Sequence, residues 1–141
     1  MTAAKRYART TKDTWCNIFV WDVTRAMGAE IPHWVDVATG APAGVGKGKE
    51  LRVDGIHAWL AEHGSVYGWR KGLRFEAELA AEQGCPTVVL DPKEHIAMVV
   101  SVAGATGIRI TQAGAHNFVD GTLERAWPSS MLSKLEYFTH P

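Results

Sequence analysis

The feature that most constrains the fold is a change of hydrophobic pattern at Gly84. Before this residue, apolar side chains recur at helical spacing, which predicts helices over 15–27, 54–63 and 73–83. After it, short apolar runs bounded by turn residues predict strands over 87–90, 95–102 and 108–112. Helices followed by hairpin-connected strands are typical of the α+β class. We therefore predict N-terminal helices packed on a central antiparallel sheet.

Length and charge limit the classes of partner. The chain has 141 residues, and we expect 1–141 to form a single domain. Lys+Arg and Asp+Glu both number 15, so no excess positive charge favours a nucleic-acid partner. No stretch reaches the roughly 20 apolar residues of a membrane span, and we expect no membrane partner. Residues 1–14 also lack the apolar run of a secretory signal.

Cys16 lies at the start of the first predicted helix. Asp13 or Thr14 offers an N-cap oxygen, and Gly28 is placed to end the helix. A helix N-terminus stabilises a thiolate, which is the nucleophilic form of cysteine. The competing interpretation is a small buried hydrophobe on the apolar face of the helix. The other cysteine, Cys85, precedes a predicted strand, and we expect the two thiols to be unpaired.

A cysteine nucleophile needs a histidine as base, and His95 is the strongest candidate because it opens a strand directly after a turn. A third polar group must orient the imidazole ring. If the hairpin pairs Ser101 with Ile108, His95 lies opposite Gly114, and Gln112 is a diagonal neighbour on the same face.

This assumed register ranks Gln112 first as the orienting residue. His116 has the same parity along the strand and is the alternative, whereas Asn117 has the opposite parity and would point away.

Three sequence blocks resemble the CHAP and NlpC-type cell-wall peptidases and amidases, which are papain-like. These blocks are Trp15–Val20 (WCNIFV), Gly84–Val89 (GCPTVV) and His95–Val100 (HIAMVV). In that superfamily a cysteine opens a helix, a histidine begins a strand, and a polar residue follows on the next strand. The resemblance thus implies a papain-like fold with Cys16, His95 and Gln112 as catalytic residues. Two departures are Gln112, where CHAP members usually have Glu, and Glu94, where many relatives have Gly or Ser.

The activity implied by the resemblance is cleavage of a peptidoglycan amide bond through a thioester acyl-enzyme. The bond is either in the peptide stem or between muramic acid and L-alanine, and the sequence leaves this open. The chain resembles a phage lysin or a delivered antibacterial toxin, and a toxin would have an immunity protein as partner. We expect synthesis in the cytoplasm without a signal peptide, and action at the bacterial cell wall or periplasm.

Two other functions remain open from the sequence. The same three residues would serve an acyltransferase or transpeptidase, which passes the acyl group to an amine or a thiol. Alternatively, the chain is a non-catalytic binding or assembly module in which Cys16 belongs to the core.

Substrate contacts are expected from aromatic and polar residues in probable loops and beside Cys16. These candidates are Trp15, Asn17, Trp34, Trp69 and Arg70. No metal or other cofactor is expected. His57 and His63 are poorly spaced on one helix for zinc, and no paired cysteines accompany them.

Overall fold

The structure, a computed structural model, describes residues 15–105, 107–113 and 117–141. Its helices are α1 (Cys16–Ala26), α2 (Val53–Glu62), α3 (Arg74–Glu82) and α4 (Leu123–Ala126), with 3₁₀ turns at Gly64–Tyr67 and Ser129–Lys134. Its strands are β1 (Trp34–Val35), β2 (Lys49–Glu50), β3 (Arg70–Gly72), β4 (Thr87–Leu90), β5 (Ile96–Val100), β6 (Arg109–Gln112), β7 (Phe118–Thr122) and β8 (Glu136–Thr139).

The predicted α+β class is confirmed, because helices accompany an antiparallel sheet. Among the described residues, six strands form one sheet in the order β3-β8-β4-β5-β6-β7, and every neighbouring pair is antiparallel. Strands β1 and β2 form a separate two-stranded ribbon. The chain thus reaches the central strands β4 and β5 only after α1, α2 and α3.

The predicted register of the β5–β6 hairpin is also confirmed. The observed pairs are Met98–Thr111, Val99–Ile110 and Val100–Arg109, which follow from placing Ser101 opposite Ile108. Strand β5 is shorter than predicted, since it starts one residue after His95 and ends at Val100. The short hairpin loop determines this register. Because successive side chains along a strand point to opposite faces, the register then fixes which side chains share a face.

Helix α1 begins at Cys16, one residue after the start of the predicted helix 15–27, so Cys16 is its first residue. Trp15 is the N-cap residue and makes no side-chain capping bond. Asp13 and Thr14, the predicted capping residues, lie outside the described residues. At the other end Gly28 has φ +77°, the left-handed conformation that ends helices, as predicted.

The buried face of α1 differs from the predicted apolar stripe. Cys16, Val20 and Thr24 are the buried positions, whereas Met27 is 46% exposed. Thr24 is accommodated because its hydroxyl donates to the Val20 carbonyl (2.7 Å) and accepts from the Ile31 N–H (2.9 Å). A threonine whose hydroxyl is hydrogen-bonded therefore occupies a core position that the predicted apolar stripe (Cys16, Phe19, Val20, Val23 and Met27) did not include.

The sheet separates two hydrophobic clusters. The first contains Cys16 and the buried residues of α2, together with Ile96 and Met98 of β5. The second contains Ala97 and Val99 of β5, with Trp127 and the buried residues of α3 and α4. Alternate residues of β5 thus face opposite layers, as expected of a strand covered on both faces. Within the described ranges, no helix is both long and apolar enough to cross a membrane.

Candidate active site

His95 and Gln112 are brought together at the start of β5 and the end of β6. His95 Nε2 lies 2.5 Å from Gln112 Oε1. An amide oxygen only accepts hydrogen bonds, so Nε2 carries the proton and Nδ1 is left as the acceptor of the ring. The hairpin register therefore produces a histidine whose tautomer suits it to take a proton at Nδ1.

The turn that leads into His95 is organised by Asp91, which is 5% exposed. Its carboxylate accepts hydrogen bonds from the backbone N–H groups of Lys93 (3.0 Å), Glu94 (2.8 Å) and His95 (3.0 Å). It also accepts one from Trp127 Nε1 at 2.8 Å. Asp91 thus fixes both the backbone of His95 and the indole beside it.

The surroundings of His95 favour its neutral form. Burial lowers the pKa of His95, and the Gln112 hydrogen bond and the Asp91 charge only partly oppose this effect. The His95 ring lies 5.0 Å from the Trp127 ring, between centroids, at an interplanar angle of 52°. A neutral imidazole is the form that can act as a base.

Burial alone would raise the pKa of Asp91, but the hydrogen bonds to its carboxylate together have the larger effect. Desolvation would raise the pKa of Asp91, yet hydrogen bonds from Trp127 and from the three backbone N–H groups hold this pKa below its ordinary value of 3.8. The folded state thus favours the carboxylate. The associated stability is fully present above about pH 4 and is lost as the pH falls through the folded pKa.

We expect Asp91→Asn to destabilise the fold by about 2–4 kcal/mol near pH 7. The amide retains one acceptor oxygen, but its NH₂ group would face either the Trp127 and His95 donors or the Lys93 and Glu94 donors. Urea unfolding measures the change, and Asp54→Asn, at an exposed residue, is the matched control. The difference between Asp91→Asn and the parent should shrink below about pH 4, where Asp91 itself becomes protonated. A difference that stays constant down to pH 2 would contradict the assigned role of the carboxylate.

Cys16 lies in a cavity of ≈ 280 Å³ at the N-terminus of α1. The Cys16 side of this cavity is formed by α1 and the residue before it, and the remaining walls come from loops and from the turn before His95. The lining residues are Trp15, Cys16, Asn17, Ile18, His33, Glu50, Arg52, Val53, Lys93 and Glu94. Cys16 is only 2% exposed, and no disulfide joins Cys16 to Cys85, as predicted.

The cavity at Cys16 shares two wall residues with a second cavity. Helix α1 packs on β5 and β6, and Lys93 and Glu94 line both the Cys16 cavity and a cavity that His95 borders. Cys16 belongs to the first hydrophobic cluster, whereas Trp127, beside His95, belongs to the second. The described residues that link the two candidate groups are therefore those of the turn before His95.

Asn17, predicted to contact substrate, lines the cavity but is engaged within the protein. Its Nδ2 donates to the Leu51 carbonyl at 3.0 Å and lies 3.5 Å from His33 Nδ1. His33 is 5% exposed, and its Nε2 lies 3.1 Å from the Glu50 carboxylate. This chain of contacts ties the first turn of α1 to strand β2, which carries Glu50, so Asn17 supports the wall of the cavity.

The other residues predicted to contact substrate lie in different environments in the structure. Trp15 lines the Cys16 cavity, and Trp34 packs edge-on against His33 with centroids 6.0 Å apart. Trp69 is 2% exposed in the first hydrophobic cluster, so its prediction as a cleft-lining ring is wrong. Arg70 is exposed on β3 at the edge of the sheet, and it is not among the residues lining the cavities at Cys16 or His95.

Trp69 is buried because its ring fills the space between α2 and the C-terminal strand, where it meets His140 edge-on at 5.5 Å between centroids.

Among the alternatives to Gln112, Asn117 is exposed, and His116 lies outside the described residues together with Gly114.

Three residues of the site were missed by the sequence analysis, namely His33, Asp91 and Trp127. For Asp91 a signal was present, because an aspartate at the first position of a turn commonly accepts the N–H groups that follow it. Trp127 lies 36 positions from Asp91, and no local pattern joins them. His33 is 16 positions from Asn17 and 17 from Glu50, and no local pattern joins it to either.

Chemically, the structure offers a thiol at a helix N-terminus and, in the wall of a second cavity that shares Lys93 and Glu94 with the first, an imidazole oriented by an amide. No cluster of three or more His, Cys, Asp or Glu side chains suited to a metal ion occurs within residues 15–105, 107–113 and 117–141. Comparisons of this chain with protein-family models, with curated protein sequences and with solved structures found no match.

Proposed function

We propose that this chain is a papain-like cysteine hydrolase that cleaves amide bonds of bacterial peptidoglycan. Cys16 is the nucleophile, His95 is the base, and Gln112 orients His95. The single observation that carries the proposal is the hydrogen bond between His95 Nε2 and Gln112 Oε1, which leaves Nδ1 as the acceptor of the ring. A cysteine hydrolase requires such an oriented imidazole together with a cysteine thiol, and Cys16 at the first position of α1 supplies the thiol.

In the proposed reaction, Nδ1 of His95 takes the proton of the Cys16 thiol. The thiolate attacks the carbonyl carbon of the amide, and the C–N bond breaks as the proton passes from His95 to the departing amine. A thioester remains on Cys16. Water, deprotonated by His95, then attacks the thioester and releases the carboxylic acid and the free thiol.

The choice of substrate rests on the three blocks that resemble the CHAP and NlpC-type enzymes, WCNIFV, GCPTVV and HIAMVV. The antiparallel sheet with a helix packed on β5 and β6 supports the papain-like part of this proposal. We propose that the enzyme acts at the cell wall or periplasm as a phage lysin or a delivered antibacterial toxin, and that a toxin would be accompanied by an immunity protein.

The first test is the relative reactivity of the two thiols toward iodoacetamide. Exposure alone predicts that half-buried Cys85 reacts faster than Cys16, which is 2% exposed. If Cys16 is an activated nucleophile, the order is reversed. We expect Cys16 to be alkylated at least about tenfold faster than Cys85 at pH 7, because one unit of pKa lowering raises the thiolate fraction by that factor. Mass spectrometry of peptides from the native protein gives both rates.

His95→Ala is the matched variant for this experiment. It should remove the advantage of Cys16 and leave the rate at Cys85 unchanged, and unfolding in urea should make the two rates similar. If Cys16 instead resists alkylation until the protein unfolds, Cys16 is a core residue and the chain is a non-catalytic module.

A further inference from the structure

The second cavity at the site, of ≈ 550 Å³, has His95 in its wall. It lies across Lys93 and Glu94 from the Cys16 cavity, since these two residues line both. Most of its remaining wall is apolar and is provided by Pro92, Ala126, Trp127, Pro128 and Met131. The 3₁₀ segment Ser129–Lys134 and the turn after β4 thus enclose a site that the Cys16 cavity does not include.

The charged groups of this cavity are unevenly placed. Asp91 contributes a buried carboxylate whose oxygens already accept four hydrogen bonds. Lys93 and Glu94 carry opposite charges and are neighbours in the shared wall. Lys134 is exposed at the other end of the apolar wall, and no ion pair joins it to a carboxylate in the part of the chain that the structure describes. Lys134 is therefore available there for an anionic group of a ligand, and Lys93, next to the opposite charge of Glu94, is the second cation of the wall.

We infer that this second cavity binds the leaving-group half of the substrate, and that this half is an amine bearing an apolar side chain and a carboxylate near Lys134. The inference rests on the proposed function. His95 must deliver a proton to the departing nitrogen, so the departing half has to lie on the His95 side of the scissile bond. The acyl half then occupies the cavity at Cys16. An apolar amino acid, free or at the N-terminus of a peptide, has this chemistry.

The reverse of the acylation step, in which an amine attacks the acyl-enzyme, must use the same site for the amine. An added amine attacks the thioester carbon, its proton passes to His95, a new C–N bond forms, and the C–S bond to Cys16 breaks. Aminolysis competes with hydrolysis for the same acyl-enzyme, so the ratio of the two products reports binding in the second cavity. Acylation of Cys16 by a small thioester needs no apolar side chain or carboxylate in this cavity, because the departing thiol carries neither.

The experiment uses the full chain, an N-acetylalanine thioester as acyl donor, and leucinamide, leucine or glycinamide as acceptors. At equal free-amine concentration, the parent should give an aminolysis-to-hydrolysis ratio about tenfold higher or more for leucinamide than for glycinamide, because a leucine side chain would be buried. Met131→Ala should lower the leucinamide ratio about fivefold and leave glycinamide unchanged. Lys134→Gln should lower the ratio for leucine about threefold and leave leucinamide unchanged, and Lys134→Arg should restore it.

Leu132→Ala is the control, because Leu132 lies next to Met131 in the same 3₁₀ segment but lines a different cavity. It should change no ratio. If the acyl-enzyme forms on Cys16 but neither Met131→Ala nor Lys134→Gln changes the product ratios, the leaving-group site is wrong and the proposed function stands. If mass spectrometry detects no acyl-enzyme on Cys16, both are wrong. The surface variant Lys134→Gln keeps the test decisive even if Met131→Ala fails to fold.

Discussion

Cys16→Ala should reduce the release of soluble fragments from purified peptidoglycan by about 1,000-fold or more. The thiolate is the atom that bonds to the substrate carbonyl, and alanine leaves no group that could replace it. The fold should survive, because the substitution removes one sulfur atom from the first hydrophobic cluster and costs about 1 kcal/mol. Release of dye-labelled fragments gives the rate, and urea unfolding confirms that the variant is folded.

Cys85→Ala is the control for this substitution, since Cys85 lies outside both cavities of the site. We expect its rate to be close to that of the parent. If a folded Cys16→Ala variant keeps more than about one hundredth of the parental rate, the assignment of Cys16 as nucleophile is wrong.

His95→Ala should cause a loss of comparable size, about 1,000-fold in kcat, because the variant lacks the imidazole that is proposed to accept the thiol proton. Gln112→Ala should be milder, about 10- to 100-fold, since the imidazole remains and only its orientation is released. Gln112→Glu should retain most of the activity, because a carboxylate accepts the same hydrogen bond from Nε2. Initial rates on purified peptidoglycan give the order of the three variants.

Asn117→Ala serves as the comparison for this series, and it should stay close to the parent because Asn117 is exposed beyond the end of β6. His116→Ala tests the alternative from the register argument. If His116→Ala loses most of the parental rate while Gln112→Ala keeps it, the residue that orients His95 is His116.

Much of the fold around the site was predictable because the interactions that form it are close in sequence. Helix α1 ends at Gly28, where a left-handed conformation is required, and the β5–β6 hairpin takes the register that its short loop dictates. The approach of His95 to Gln112 follows from that register alone. Such local geometry limits the choices of the chain before any tertiary contact forms.

Other parts of the sheet were not predictable in this way. Strand β8 inserts between β3 and β4, so its pairing joins the C-terminus to segments about half the chain away. Strand β3 is three residues long and lies in a stretch that looks like a loop. Edge and long-range strands depend on neighbours that a local pattern does not contain, because strand propensity reflects packing as much as intrinsic preference.

The sequence by itself determined the class of the fold, the helix that carries Cys16, and the pairing that joins His95 to Gln112. Only the tertiary structure decided how these pieces are surrounded. In the folded protein, Trp69 is buried and does not line a cleft, contrary to the prediction from the sequence. Asn17 contacts His33, and Asp91 accepts a hydrogen bond from Trp127, 36 positions away. The physical reason is that burial and long-range hydrogen bonds are properties of the packed chain, in which most buried polar groups find a partner wherever the fold supplies one.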